Sequence, residues 1–271
     1  MKETDNNNQS FVIHPLKPKF SPRSGAVLTS SSIDKTRTQE RSMSQDQTPD
    51  TSANLPASAA IYSRAMLRFY DAYVLGFSNT WAWRCPSRHI LALYDSQISA
   101  HHLEVAVGTG YFPDHCRFPT SSPHIDLFDI HPATLASGAR RLQRYHPRCF
   151  QGNIFNTCDL PQDRYDSIAI NYLMHCLSGS LWDKGQKVFD HLIPLLQPRD
   201  GRLFGSTILG VGVRHNALGQ RLMALYNRKG IFGNMNDSEE DLHRLLDRSF
   251  ATYDLEIRGC VALFTGYMSK A

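Results

Sequence analysis

The segment best equipped for chemistry is His102-Leu-Glu-Val-Ala-Val-Gly-Thr-Gly-Tyr111, where an apolar run ends in a Gly-x-Gly turn. Such a turn lets the backbone approach a ligand closely and presents its N–H groups to polar or anionic atoms. Two acids sharpen the reading. Glu104 stands inside the apolar run, where a carboxylate is costly unless it has a partner. Asp129 ends the next apolar run, 19 residues after Gly110, the position of a ribose-binding acid in a nucleotide site. A nicotinamide dinucleotide fingerprint would need a further glycine where Pro113 stands, so that reading is disfavoured. His101-His102 and His115-Cys116 are adjacent pairs. Neighbours on a strand point to opposite faces, and no metal site is expected from them.

Positioning these groups requires a sheet. Apolar runs suited to buried strands occur at His102–Val107, Ile125–Ile130, Cys149–Ile154, Ser167–Tyr172 and Arg202–Leu209. Helical spacing appears between them. Met66, Tyr70, Tyr73, Val74 and Phe77 predict a helix over 59–77. Pro86-Ser87 opens another, with Ser87 as N-cap and Leu91, Tyr94 and Ile98 on one face. Further helices start at Pro132 and run through Val188, Leu192 and Leu195. The chain then gives helices near 216–229 and 238–248, the second capped by Ser238, and two strands near 250–258 and 260–267. Alternation of this kind predicts an α/β fold with a parallel sheet. The closely coupled final strands must be antiparallel.

Composition narrows the function. The 271 residues carry 29 basic and 25 acidic side chains, a formal charge of +4. Seven basic and six acidic residues fall in the first 58, leaving a nearly neutral body and no concentrated basic face for nucleic acid. Residues 1–57 read as a disordered low-complexity tail without core-forming periodicity. A transit peptide is the alternative, and its six acids count against it. Residues 58–271 read as one domain, with a helical cap over 58–99 and the sheet core over 100–271. The six cysteines show no Cys-x-x-Cys pair, no apolar run approaches a membrane span, and no leader is visible. A cytoplasmic protein with no membrane partner is expected, its oligomeric state open.

The motifs together resemble the class I S-adenosylmethionine-dependent methyltransferases. Leu103-Glu-Val-Ala-Val-Gly-Thr-Gly110 resembles their first motif, with Ala106 in place of the first turn glycine. Ile125-Asp-Leu-Phe-Asp-Ile130 is similar to their second strand, Asp166–Cys176 to the fourth strand and its turn, and Leu195–Phe204 to the entry into the fifth. The resemblance implies a Rossmann-like seven-stranded sheet of order 3-2-1-4-5-7-6, its last strand antiparallel, with helices on both faces. It implies S-adenosyl-L-methionine as cofactor and a small-molecule methyl acceptor, possible acceptors including secondary metabolites. In this frame Glu104 meets the cofactor's amino group and Gly108 and Gly110 line its methionine portion. Asp129 holds the ribose, Ile130 packs on the adenine, Asn153 and Ile154 flank the adenine edge, and Asn171 faces the methionine end. His175 is the candidate general base, and Tyr70, Tyr73, His215 and Tyr226 are candidate acceptor contacts, with Arg221 beside them. A protein of this fold that no longer methylates, acting as a cyclase, isomerase or binding module, is the alternative. Missing Asn/Asp-Pro-Pro-Tyr and Pro-Cys motifs disfavour base methylation, and Asn171 replaces the acid of the magnesium-dependent catechol enzymes.

A chain beginning at Ala57 is therefore expected to keep the melting temperature and cofactor affinity of the full chain, which thermal melts and calorimetry would check.

Overall fold

A computed structural model describes residues 71–269. The expected tail, the part of the first helix before Asp71, and Tyr70 lie outside the described residues. Strands β1 (His101–Val105), β2 (His124–Asp129), β3 (Arg148–Gln151), β4 (Ser167–Asn171), β5 (Arg202–Ile208), β6 (Thr252–Arg258) and β7 (Val261–Tyr267) form one sheet. Their order is β3-β2-β1-β4-β5-β7-β6. β1 to β5 pair in parallel, while β7 runs antiparallel to both β5 and β6. The order and the reversed last strand match those implied by the resemblance.

Strands β1, β2, β4, β5 and β7 are buried on both faces, which is why they read as continuous apolar runs, whereas β3, expected as a buried strand over Cys149–Ile154, is a short and mostly exposed edge strand. Side chains alternate across β4: Ile168 and Ile170 pack toward α5 (Leu181–Leu192) and α7 (Glu239–Ser249). Ala169 faces the other way, with Phe204 and Leu263, toward α2 (Ser87–Gln97) and α6 (Ala217–Arg228). Helix α4 (Pro132–Arg141) covers β2 through Leu135, with Leu127 and Val107 beneath it. The chain entering this layer is α1 (Asp71–Ala82), wound as a π-helix, and a short helix α3 (Tyr111–His115) follows the turn after β1.

Several boundaries differ from expectation for physical reasons. β1 stops at Val105 because Ala106 adopts a left-handed backbone, φ 60°. The first helix continues past Phe77 to Ala82. Ser87 is not an N-cap; Pro86 holds that place without a side-chain cap. The Ser87 hydroxyl instead donates to the Leu75 carbonyl at 2.5 Å and accepts from Asn79 at 3.0 Å, stapling α2 to α1. Ser238 does cap its helix, accepting the Asp241 N–H at 3.1 Å. No helix among the described residues is long and apolar enough to cross a membrane.

A buried ion pair fastens the segment between α6 and α7. Lys184 Nζ lies 2.8 Å from Asp237 Oδ2, both side chains about 1% exposed. The same ammonium donates to the Gly233 carbonyl at 2.8 Å and the Leu177 carbonyl at 3.1 Å. Burial lowers the Lys184 pKa and raises that of Asp237 to about 6, each partly opposed by the partner's charge. Replacing Lys184 by Met should cost about 3–5 kcal/mol in urea unfolding, because it leaves a buried carboxylate without its cation. The double replacement Lys184→Met with Asp237→Leu should recover most of that loss.

Candidate active site

The turn after β1 alternates left-handed residues: Ala106 at φ 60°, Gly108 at 56° and Gly110 at 72°. The Ala106 N–H donates to the Phe128 carbonyl and the Gly110 N–H to the Val107 carbonyl, both at 2.9 Å. The glycines serve different ends. A Cβ on Gly108 would meet nothing within 4 Å, so this backbone borders open space. A Cβ on Gly110 would lie 3.1 Å from the Gly138 Cα, so its glycine lets α4 approach the turn. Ala106 holds its conformation at a cost of roughly 1 kcal/mol.

Glu104, Gly108, Thr109, Asn171 and Tyr172 border one cleft at the C-terminal ends of β1 and β4. Glu104 is 2% exposed. Its Oε1 accepts the Tyr94 hydroxyl at 2.6 Å, and its Oε2 lies 3.0 Å from His102 Nε2. His102 Nδ1 lies 2.8 Å from Ser167 Oγ on the neighbouring strand. Asn171 accepts the Ser206 hydroxyl through Oδ1, so its amide nitrogen is the donor end, without a partner among the described residues. Asp129, 7% exposed, accepts the His131 N–H at 2.8 Å. Burial pushes its pKa up, countered by that N–H and by the Thr134 hydroxyl.

The adenine-side candidates separate. Ile130 is partly buried beside Asp129, and the Asp129 carbonyl accepts the Gly152 N–H at 3.1 Å, joining the ends of β2 and β3. Asn153 is exposed, its side-chain oxygen accepting the Phe155 N–H at 3.0 Å. Ile154 sits in the same apolar core as Val105 and Phe128, and its carbonyl is 2.8 Å from His191 Nδ1.

Beyond Asn171, ring contacts run from Tyr172 to His175 at 5.3 Å, from His175 to Phe232 at 4.6 Å, and from Phe232 to Tyr226 at 5.0 Å. Trp83 lies 6.0 Å from Phe232 and 6.4 Å from His215. His215 Nε2 is 3.0 Å from the Leu209 carbonyl, and Arg221 is exposed. Tyr70 and the side chain of Tyr73 are outside the described residues. His175 is 3% exposed, and its Nδ1 accepts the Ile208 N–H at 3.3 Å. Burial, and then the nearby Lys184 charge, push its pKa down to about 3. Its ring is thus neutral near pH 7 with one lone pair already engaged.

Sequence reasoning overlooked Tyr94, His102, Ser167 and Phe232. One signal was present: His102 lies two residues before Glu104, hence on the same strand face. His124, Asp126 and Asp163 bring ligand-type atoms within 4.8 Å of one another. Arg148 already bridges the two aspartates there.

The chain is 35% identical over 206 residues to demethylluteothin O-methyltransferase of Streptomyces thioluteus, covering 76% of this chain and 89% of that protein. It is 37% identical to methyltransferase aurB of Calcarisporium arbuscula, covering 75% and 93%. The chain belongs to the small-molecule methyltransferases. An N-methyltransferase of Penicillium aethiopicum, vrtF, is 31% identical over 194 residues. No family model matches. Among solved structures, the DhpI–S-adenosylhomocysteine complex superposes with TM-score 0.55 at 14% identity, over 79% of this chain and 97% of that one, a likeness of fold. The methyltransferase uses S-adenosylmethionine, and its residues fit that group. The space bordering Gly108 admits a ligand against bare backbone, while Glu104 and Asp129 offer carboxylate oxygens on either side of the turn.

The low His175 pKa carries a stability consequence. An ordinary histidine titrates near 6.5, above the folded value. Stability from keeping this ring neutral is therefore complete above about pH 6.5 and is lost as pH falls toward 3. Urea unfolding between pH 7.5 and 4.5 should show an acid limb steepened by up to about 1.4 kcal/mol per pH unit. His175→Gln should flatten that limb.

Proposed function

We propose that this methyltransferase transfers a methyl group to a hydroxyl of a small aromatic metabolite. The observation that carries the reading is the run of rings from Tyr172 through His175 and Phe232 to Tyr226, beyond the cleft at the strand ends. Tyr172, at the near end of the run, borders the cleft, and an aromatic border of this kind suits a planar acceptor. Relatives named for demethylluteothin and for a physcion biosynthesis cluster support the same class.

The bound cofactor supplies a methyl group activated by the positive charge of its sulfonium. The chain's own part is placement. Glu104 accepts from the ammonium at the methionine end, Asn171 donates there through its amide, and the backbone at Gly108 runs alongside. Asp129 accepts the ribose hydroxyls. Ile130 packs on the adenine, with the Asn153–Ile154 backbone at its edge. Gly110 contributes indirectly, by letting α4 close on the turn. His175 is read as a buried packing residue and not a base, because its Nδ1 lone pair accepts the Ile208 N–H and burial holds its ring neutral. His215 and Tyr226 belong to the same ring cluster, through Trp83 and Phe232. Six free thiols, two of them exposed, favour a reducing, cytoplasmic setting.

Calorimetry should show wild-type binding of S-adenosylhomocysteine. Asp129→Ala should weaken it about 30–1000-fold while the fold survives, since charge-assisted bonds to two hydroxyls are lost. His175→Asn should leave that affinity unchanged and lower kcat by less than about tenfold, short of the loss typical for a general base. Turnover of methyl-labelled cofactor with phenols, carboxylic acids and amines, with products placed by mass spectrometry and NMR, tests the acceptor. Turnover confined to amines would replace the hydroxyl reading with an N-methyltransferase.

A further inference from the structure

Beneath the cleft, four buried side chains form a continuous hydrogen-bonded chain. Tyr94, His102 and Ser167 are fully buried and Glu104 nearly so. Ser167 Oγ accepts the Ser99 N–H at 2.9 Å and lies 2.8 Å from His102 Nδ1. His102 Nε2 faces Glu104 Oε2 at 3.0 Å, and because a carboxylate only accepts, that nitrogen is the donor. The Tyr94 hydroxyl, which can only donate to a carboxylate, holds Oε1 at 2.6 Å. An ionised carboxylate offers about four lone-pair directions. Two are spent on these donors, one on each oxygen, and Glu104 still borders the cleft beside Gly108 and Asn171.

We propose that Tyr94, His102 and Ser167 are positioning residues that lock the Glu104 carboxylate in one rotamer, with its unspent lone pairs presented to the ammonium at the methionine end of the cofactor. The inference rests on the cofactor placement given above. Its physical basis is that one donor on each oxygen removes the carboxylate's freedom to rotate or to turn back into the core. Each donor comes from a different element: Tyr94 from α2, His102 from β1 itself, with Ser167 of β4 holding the other nitrogen of the histidine ring. The ammonium then meets an acceptor already oriented, and the ordering cost falls on folding instead of on binding.

The test compares two ligands on the full-length chain. S-adenosylhomocysteine carries the amino-acid end; 5′-methylthioadenosine shares the adenosine and thioether and lacks it. Wild-type protein should prefer the first by at least about tenfold, and Glu104→Gln should erase most of that preference. Tyr94→Phe should weaken S-adenosylhomocysteine about 5–50-fold and leave methylthioadenosine within twofold. Ser167→Ala, which removes one hydroxyl and acts on Glu104 only through His102, should shift the same ratio in the same direction by a smaller factor. Variants that fold and retain the wild-type ratio, or that lose both ligands equally, would reduce the chain of bonds to packing and overturn the inference. A wild-type protein that binds both ligands equally would overturn the Glu104 assignment. One that binds neither would overturn the cofactor placement, and the inference with it.

Discussion

A carboxylate in the middle of a strand buried on both faces is costly unless the protein itself supplies it with hydrogen-bond donors. Glu104 satisfies that condition with donors from two elements, and the geometry of the site follows from where they sit. Tyr94 brings α2 down onto the sheet, where its ring also stacks on Phe112 at 5.3 Å and meets Phe204 edge-on at 5.0 Å. His102 and Ser167 face each other in the β1–β4 pairing, so the polar chain fixes the two strands whose ends form the cleft. An apolar side chain at position 104 would satisfy the core with less structure around it. The acid stands instead with donors on both of its oxygens and at the border of the cleft.

The turn above it shows the same economy of parts. Three left-handed residues alternate over five positions, and only one of the two glycines there borders open space. Gly108 leaves room for a ligand, whereas Gly110 makes room for Gly138 on α4. Motif residues of identical type can thus be required by different neighbours. Ala106 shows the limit of substitution: its methyl is tolerated, at the expense of a strained backbone.

Much of this was legible in the sequence. Strand–helix alternation and the coupled final strands give the sheet, and Glu104, the Gly-x-Gly turn and Asp129 stand where their spacing suggests. The order of the strands came from resemblance to a family, because hydrophobic periodicity reports burial and not adjacency. Ser87 misled because a serine ahead of an apolar run reads as a cap, whereas here its hydroxyl reaches back twelve residues to Leu75. His175 follows a strand end, a suggestive place for a base, but only packing reveals that Ile208 occupies its lone pair. The Lys184–Asp237 pair, separated by 53 positions, leaves no local signature at all. Tyr94 looked like one more core aromatic; its hydroxyl matters because a carboxylate ten residues later lies beside it in space.

The position of β7 has a consequence for the nascent chain. Although it is the last strand made, it lies between β5 and β6, pairing with seven residues of each. While the ribosome still holds residues 261–267, β5 presents an unpaired apolar edge, and β6 has no neighbour to join. The hairpin can be inserted only once translation has passed Tyr267, so vectorial synthesis cannot complete the sheet strand by strand. Until that point the growing chain carries an open edge of the kind that recruits other chains. Arrival of the final strand converts a template for association into an interior.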